Sequence, residues 1–173
     1  LGYAPGRGSL VSGLRAKGFS TSEMIAADLA LDRAGRPVDR FFDRVMFPIN
    51  DEQGRTIAFG GRVIGPKKDT AKYVNTRDTA VFNKGKHLFA YDRAKETMAA
   101  TGEAIVCEGY TDVISMHQCG IENVVANSGT ALSIHQIHIL HRFTSNITLL
   151  YDGDAAGIHA AMRGTDMLLS EGM

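Results

Sequence analysis

Residues Asn146 to Gly157 read NITLLYDGDAAG, an apolar run of strand type that stops at two aspartates separated by one glycine. Ile147, Thr148, Leu149, Leu150 and Tyr151 are continuous, partly β-branched and followed at once by a turn signal, which predicts a buried strand. If the backbone stays extended past Tyr151, Asp152 and Asp154 point to the same side. Two carboxylates so placed repel each other unless a cation lies near both. Hard oxygen ligands suit a magnesium-type ion, which takes one or two protein carboxylates and keeps its other positions for water and substrate phosphate. The same residues also read as an Asp-Gly turn in which Asp154 caps the following helix. A second acidic strand end would separate the two readings.

The neighbouring sequence alternates regularly. A polar helix over 92–101 ends at Gly102; Ala104–Cys107 reads as a strand; a short helix from Asp112 to Gln118 stops at Gly120; Asn123–Ala126 reads as a strand; a helix spans about Leu132 to Arg142. After the opening strand comes a helix from about Ala155 to Leu169, whose Ile158, Ala161, Met162, Thr165, Leu168 and Leu169 fall at the spacing of one buried face. Strands alternating with helices of this length predict right-handed crossovers and a parallel sheet with helices on both faces. Such sheets carry their sites at the carboxyl ends of the strands. The strand AIVC runs directly into Glu108, Gly109, Tyr110, Thr111 and Asp112, so an acid stands at its carboxyl end too. Asp112 also fits as a helix-start carboxylate. Glu108 with Asp152 and Asp154 is the candidate metal site.

Upstream, a short helix is expected from Ser9 to Lys17, ended by Gly18, and Ser20 with Glu23 makes a capping-box pair that starts a second helix through about Leu31. DRAGRPVDR reads as a polar loop with Gly35 and Pro37 as breakers. Val45–Ile49 and Thr56–Ile64 are strand-like runs joined by NDEQGR, a β-hairpin in which Gly54 supplies a positive φ. Gly60 and Gly61 suggest a bulge or a close approach of the backbone to a ligand. Arg62, Lys67, Lys68, Lys72, Arg77, Lys84 and Lys86 then put seven cations into 25 residues, against Asp69 and Asp78. Such a stretch can grip a phosphate backbone or a nucleoside triphosphate, and it also fits a solvated loop. The division expected is a helical and β-hairpin part over 1–90 and a parallel-sheet part over 91–173, an α/β class with a mixed α+β lead-in.

The whole chain has 173 residues, 44% hydrophobic and 22% charged, with Lys plus Arg equal to Asp plus Glu. That is ordinary for a globular protein with one domain, or one large and one small, and gives no whole-chain basic charge. No apolar run approaches membrane-spanning length. Cys107 and Cys119 are too few for a disulfide framework or a zinc site and read as small buried hydrophobes, which favours a reducing cytoplasm. His135, His138 and His141 recur every three residues, but no acid or cysteine joins them, so no zinc is expected. The opening without methionine and the close at LLSEGM suggest a fragment of something longer.

The pair EGYTD and DGDAAG resembles the toprim domain shared by bacterial-type primases, type IA and II topoisomerases and some nucleases and recombination proteins. RVMFPI, GRTIAFGGRVIG, KYVNT, FNKGKHLFAYDRAK, EGYTDV, SGTAL and YDGDAAG occur in this order in DnaG-type primases. The resemblance covers nearly the whole chain, most specifically residues 44 to 157, and implies the RNA polymerase core of a bacterial replicative primase. It implies that Glu108 is a metal ligand or general acid/base and that Asp152 and Asp154 are metal ligands. It further implies that Arg62, Lys72 and Lys84 line a groove for template and nucleotide phosphates, with Asn75 and Asp112 near that site. The expected activity is synthesis of short RNA primers on single-stranded DNA by two-metal phosphoryl transfer with Mg2+ or Mn2+. Ribonucleoside triphosphates are the expected substrates, and a replicative helicase is the expected partner, through a domain absent here. The family also has a zinc-binding domain and a further acidic pair on a later strand, neither of which this sequence reaches. Competing readings are a toprim nuclease or topoisomerase, the latter needing a nucleophilic tyrosine from another domain, and a non-catalytic toprim module.

Overall fold

The structure, a computed structural model, describes residues 1–65, 70–127, 129 and 131–173. The chain forms two compact units, one of residues 1–49 and 56–82, the other of residues 50–55 and 83–173.

The first unit contains β1 (Gly2–Ala4), α1 (Ser9–Ala16), α2 (Thr21–Ala26), β2 (Ala30–Arg33), β3 (Arg36–Asp39), β4 (Arg44–Asn50), β5 (Thr56–Val63) and β6 (Tyr73–Asn75). Four strands make one sheet in the order β1-β4-β5-β6, and β2 pairs with β3 in a separate antiparallel ribbon. The capping box forms as expected: Glu23 N–H donates to Ser20 Oγ at 3.2 Å, and Ser20 N–H donates to the Glu23 carboxylate at 2.7 Å. The helix it starts is shorter than expected, because Asp28 takes a left-handed φ of 52° and the chain leaves at once into β2. Aspartate tolerates that region better than most residues. DRAGRPVDR is accordingly not an irregular loop. It is the tip and second strand of the β2–β3 ribbon, turning at Ala34 and Gly35, with Pro37 opposite Asp32. Gly54 does adopt a positive φ of 79°, in a tight connection where Asp51 N–H donates to Arg55 O at 2.9 Å.

The second unit contains a 3-10 turn (Lys84–Lys86), α3 (Tyr91–Thr101), β7 (Ala104–Cys107), α4 (Tyr110–Gln118), β8 (Val124–Ala126), α5 (Ile134–His141), β9 (Ile147–Leu150) and α6 (Ala155–Ser170). The parallel sheet runs β8-β7-β9, with Ile105 opposite both Val124 and Thr148. Alternation of side chains along β7 gives the sheet two faces. Ala104 and Val106 pack with Met98 of α3, Ile137 and Leu140 of α5 and Leu168 of α6, whereas Cys107, Val124 and Ala126 pack with Val113 and Met116 of α4. Helices therefore cover both faces, as the alternation of elements predicts.

Three expectations are corrected here. β9 is an edge strand rather than a buried one, and Leu150 is 51% exposed despite the apolar run. The inner face of α6 is Gly157, Gly164 and Leu168, while Ile158, Met162, Thr165 and Leu169 are exposed. The helix lies so close to β9 that a Cβ on Gly164 would come 3.1 Å from Leu149 Cδ1, so small residues face inward and the large apolar ones are left outside. Cys107 is buried as expected, but Cys119 ends α4 and is exposed.

Candidate active site at the carboxyl edge of the parallel sheet

Cys107 of β7 lies opposite Leu150 of the adjacent parallel β9, so the two chains leave the sheet side by side. Glu108 and Tyr151 are their first residues beyond it. The Asp152 N–H donates to Glu108 Oε1 at 3.0 Å, which ties the two strand ends together. Glu108 is half-buried, and Asp152 and Asp154 are exposed. The Asp152 carboxylate receives no hydrogen bond or ion pair among the described residues.

Asp154 is the N-cap of α6, its Oδ1 accepting the Gly157 N–H at 2.8 Å. The turn-and-cap reading of DGDAAG and the acidic-tip reading are thus both realised in one loop. Gly157 is what lets the loop close. A Cβ there would fall inside the van der Waals envelope of the Asp152 carbonyl oxygen and 2.9 Å from Glu108 Oε1. Sequence reasoning missed this glycine, although its place three residues after a capping aspartate in a helix was a signal. Asp112 takes the helix-start role, its Oδ2 accepting the Gly109 N–H at 3.1 Å.

The two tyrosines beside the acids are structural in character. Tyr110 is buried edge-on against Phe89 with ring centroids 4.8 Å apart. Tyr151 OH accepts from Asn127 Nδ2 at 3.1 Å, and burial, with help from the nearby Glu108 and Cys107, pushes its phenol up to about 12. Burial and then Asp112 push the Cys107 thiol up to about 11, so it stays protonated and inert.

Among the described residues, no three His, Cys, Asp or Glu side chains are arranged to hold a metal ion. The donors that are present, the Glu108, Asp152 and Asp154 carboxylates, are hard oxygens on the two neighbouring loops that follow β7 and β9, with Glu108 and Asp154 each already using one oxygen on a backbone N–H. That set fits a hard, largely hydrated divalent cation and does not fit a closed cage. His135, His138 and His141 are all exposed on α5, and His138 meets Glu171 at 2.7 Å.

Of the basic candidates, Lys84 is in the same unit as the acids, on the 3-10 turn, where Gln136 Nε2 donates to its carbonyl at 3.1 Å. Arg62, Lys72 and Asn75 belong to the other unit. Arg62 sits half-buried opposite Tyr73 in the β5–β6 pairing; Lys72 is exposed, its Nζ 5.8 Å from the Tyr73 ring centroid; Asn75 lies opposite Gly60. Neither Arg62 nor Lys72 pairs with a carboxylate among the described residues. Arg77 does not share that availability. Its guanidinium donates to Asp28 Oδ1 at 2.6 Å, and Arg40 donates to Asp28 Oδ2 at 3.1 Å. Burial raises the Asp28 pKa, but the bonds from Arg77 and the charge of Arg40 outweigh it and hold the carboxyl below its ordinary value. Lys67 and Lys68, and Ser128 and Thr130 of the SGTAL segment, lie outside the described residues.

The register Gly60 to Asn75, Gly61 to Val74 and Arg62 to Tyr73 runs unbroken past the paired glycines on the β6 side of β5. The close approach at Gly61 is instead to side chains: a Cβ would come 3.0 Å from Arg44 Cδ and 3.0 Å from Phe41 Cδ1.

Residues 1–95 match the family described as DNA primase catalytic core, N-terminal domain, and residues 102–173 match the Toprim domain. The chain is 43% identical over 173 residues to a DNA primase of Deinococcus radiodurans, covering 98% of this chain and 30% of that protein. It superposes with TM-score 0.90 and 40% identity on the crystal structure of the Aquifex aeolicus primase, zinc-binding and RNA polymerase domains, covering 99% of this chain and 42% of that one. A DnaG primase catalytic domain bound to single-stranded DNA gives TM-score 0.84 and 39% identity over 96% of this chain and 52% of that one. The chain thus spans about a third of the length of the curated relative. No helix among the described residues is long and apolar enough to cross a membrane.

Proposed function

The chain belongs to the DNA primase catalytic core family, with a Toprim domain over its second half, and from that membership we propose that it is the part of a bacterial cytoplasmic RNA polymerase that synthesises short RNA primers on single-stranded DNA. The observation that supports this most is the acidic strand-end pair: Glu108 at the tip of β7 accepting the N–H of Asp152 at the tip of the neighbouring β9. A related catalytic domain bound to single-stranded DNA supports the choice of template.

In this reading Glu108, Asp152 and Asp154 hold Mg2+ or Mn2+, which when bound supplies charge neutralisation at a ribonucleoside triphosphate and activation of the primer 3′-hydroxyl. Glu108 either ligates or accepts the hydroxyl proton. Its bond to the Asp152 backbone fixes where the Asp152 carboxylate stands, and the Asp154 cap fixes the turn between them. Arg62 and Lys72 of the first unit, and Lys84 of the second, bind phosphate oxygens of template or nucleotide, Asn75 and Asp112 being the further polar candidates of their own units. The replicative helicase is engaged by a part of the protein other than this chain. Tyr110, buried against Phe89, and Tyr151, half-buried with its hydroxyl bonded to Asn127, do not suit a topoisomerase nucleophile.

The test is ribonucleotide incorporation on single-stranded DNA with Mg2+ by the intact primase and its Asp152→Ala variant. Short RNA from the parent and none from the variant, with weak strand binding kept, is the expected result. Template loss without RNA would make the protein a nuclease, and undiminished synthesis by the variant would remove the acids from the chemistry.

A further inference from the structure

Arg44 is 2% exposed, and it has no carboxylate partner among the described residues. Its guanidinium instead donates to three backbone carbonyls: Nη1 to Gly61 O at 3.0 Å and Lys72 O at 3.2 Å, and Nη2 to Ala71 O at 2.8 Å. A buried cation without a counter-charge is costly and is retained only where its hydrogen bonds are well made. The three acceptors are not scattered. Gly61 immediately precedes Arg62, and Ala71 and Lys72 are the residues through which the chain enters β6. Arg62 and Lys72, the two phosphate-binding candidates of this unit, have no acid partner among the described residues, unlike Arg40 and Arg77, which both hold Asp28.

We propose that Arg44 is a positioning residue for phosphate binding, its buried fork clamping the Gly61 and Ala71–Lys72 carbonyls so that the backbone carrying Arg62 and the backbone carrying Lys72 are held in fixed register. The proposal rests on the reading of Arg62 and Lys72 as phosphate contacts. Arg44 itself cannot reach a phosphate, being enclosed, so its contribution to nucleic-acid affinity is entirely indirect. A planar guanidinium spans three carbonyls at fixed angles, and a lysine ammonium is a point donor on a flexible stem. Gly61 is part of the same seat, since a methyl there presses on Arg44 Cδ.

The experiment measures binding of a fluorescein-labelled oligothymidylate to the intact chain by anisotropy as a function of salt, with thermal melts as the folding control. For single strands each phosphate contact contributes about 0.7 to the slope of log K against log salt. Arg62→Ala/Lys72→Ala should make the slope shallower by roughly 1.4, on that principle. Arg44→Lys keeps the charge and should still lose about 0.7 to 1.4 of slope, and should add nothing when combined with the double variant. Gly61→Ala, which removes no donor and no charge, should give a smaller loss in the same direction and decides the matter if Arg44→Lys is unfolded. A folded Arg44→Lys or Gly61→Ala that binds with the parent's affinity and slope overturns the clamp and leaves Arg62 and Lys72 as contacts. An unchanged slope in Arg62→Ala/Lys72→Ala removes the contacts themselves, and the clamp with them.

Discussion

Gly157→Ala tests the closure of the acidic loop. In a solvated helix this change is stabilising by up to about 1 kcal/mol, because alanine loses less backbone entropy. At Gly157 the added methyl meets the Asp152 carbonyl group and lies 2.9 Å from Glu108 Oε1. Backbone cannot step aside as a side-chain end does, so the strand tip and the first turn of α6 must part. That movement loses the charge-assisted bond from Asp152 N–H to Glu108, about 1.5 to 3 kcal/mol, and weakens the Asp154 cap, about 1 kcal/mol. Set against the intrinsic gain, the net is a destabilisation of about 1.5 to 3 kcal/mol, with sign opposite to propensity. Urea denaturation followed by circular dichroism measures it. Gly13→Ala, within α1 and with no atom within 4 Å of the added methyl, is the control and should be neutral or stabilising. Gly164→Ala meets side-chain ends alone, Leu149 Cδ1 at 3.1 Å and Leu132 Cδ2 at 3.9 Å, and should cost less than Gly157→Ala. A Gly157→Ala protein as stable as the parent would refute the close approach and the geometry of the acidic tip with it.

Asp28→Asn should destabilise the fold by about 1 to 3 kcal/mol at pH 7, because it removes a buried charge from two arginines. Since the Asp28 pKa is lowered in the fold, its contribution is full above the ordinary carboxylate value and is lost as pH falls through the folded value; parent and variant stabilities should converge in that acid window. Tyr151, raised to about 12, gives the opposite dependence: its share of stability is complete below about pH 10 and declines as pH rises toward 12, and Tyr151→Phe should flatten the alkaline limb of a denaturation–pH series. Glu108→Gln keeps an oxygen for the Asp152 N–H and should fold nearly as the parent. Its Mn2+ affinity by titration calorimetry should fall on the order of tenfold or more, the size that loss of even an outer-shell partner produces.

The parallel sheet was legible because each of its elements is bounded by a strong signal: Gly102 after α3, Gly120 after α4, and an abrupt acid at the end of β7 and β9. The rule for parallel sheets put both acids at the carboxyl ends of strands, but that β7 and β9 are neighbours, which brings Glu108 to Asp152, is decided by the strand order and not by that rule. The inner face of α6 was not legible, since hydrophobic periodicity gives glycine no weight and Gly157 and Gly164 are chosen for closeness rather than for apolar area. The β2–β3 ribbon was hidden by Gly35 and Pro37, which read as loop breakers, and by Asp28, which fell inside the expected second helix although its left-handed φ ends that helix. Arg44 was invisible for a different reason. A buried arginine satisfied by carbonyls leaves no charge partner in the sequence, and its acceptors are 17, 27 and 28 residues away. Arg77, counted among the available cations, is removed from that set by Asp28, 49 residues earlier.

The most direct test of the acidic tip is anomalous diffraction at the manganese edge from crystals of the intact primase soaked with Mn2+ and a ribonucleoside triphosphate. A peak against the carboxylates of Glu108 and Asp152 is predicted, lost in Asp152→Ala crystals of the same form; manganese bound to the triphosphate away from both carboxylates would contradict the assignment.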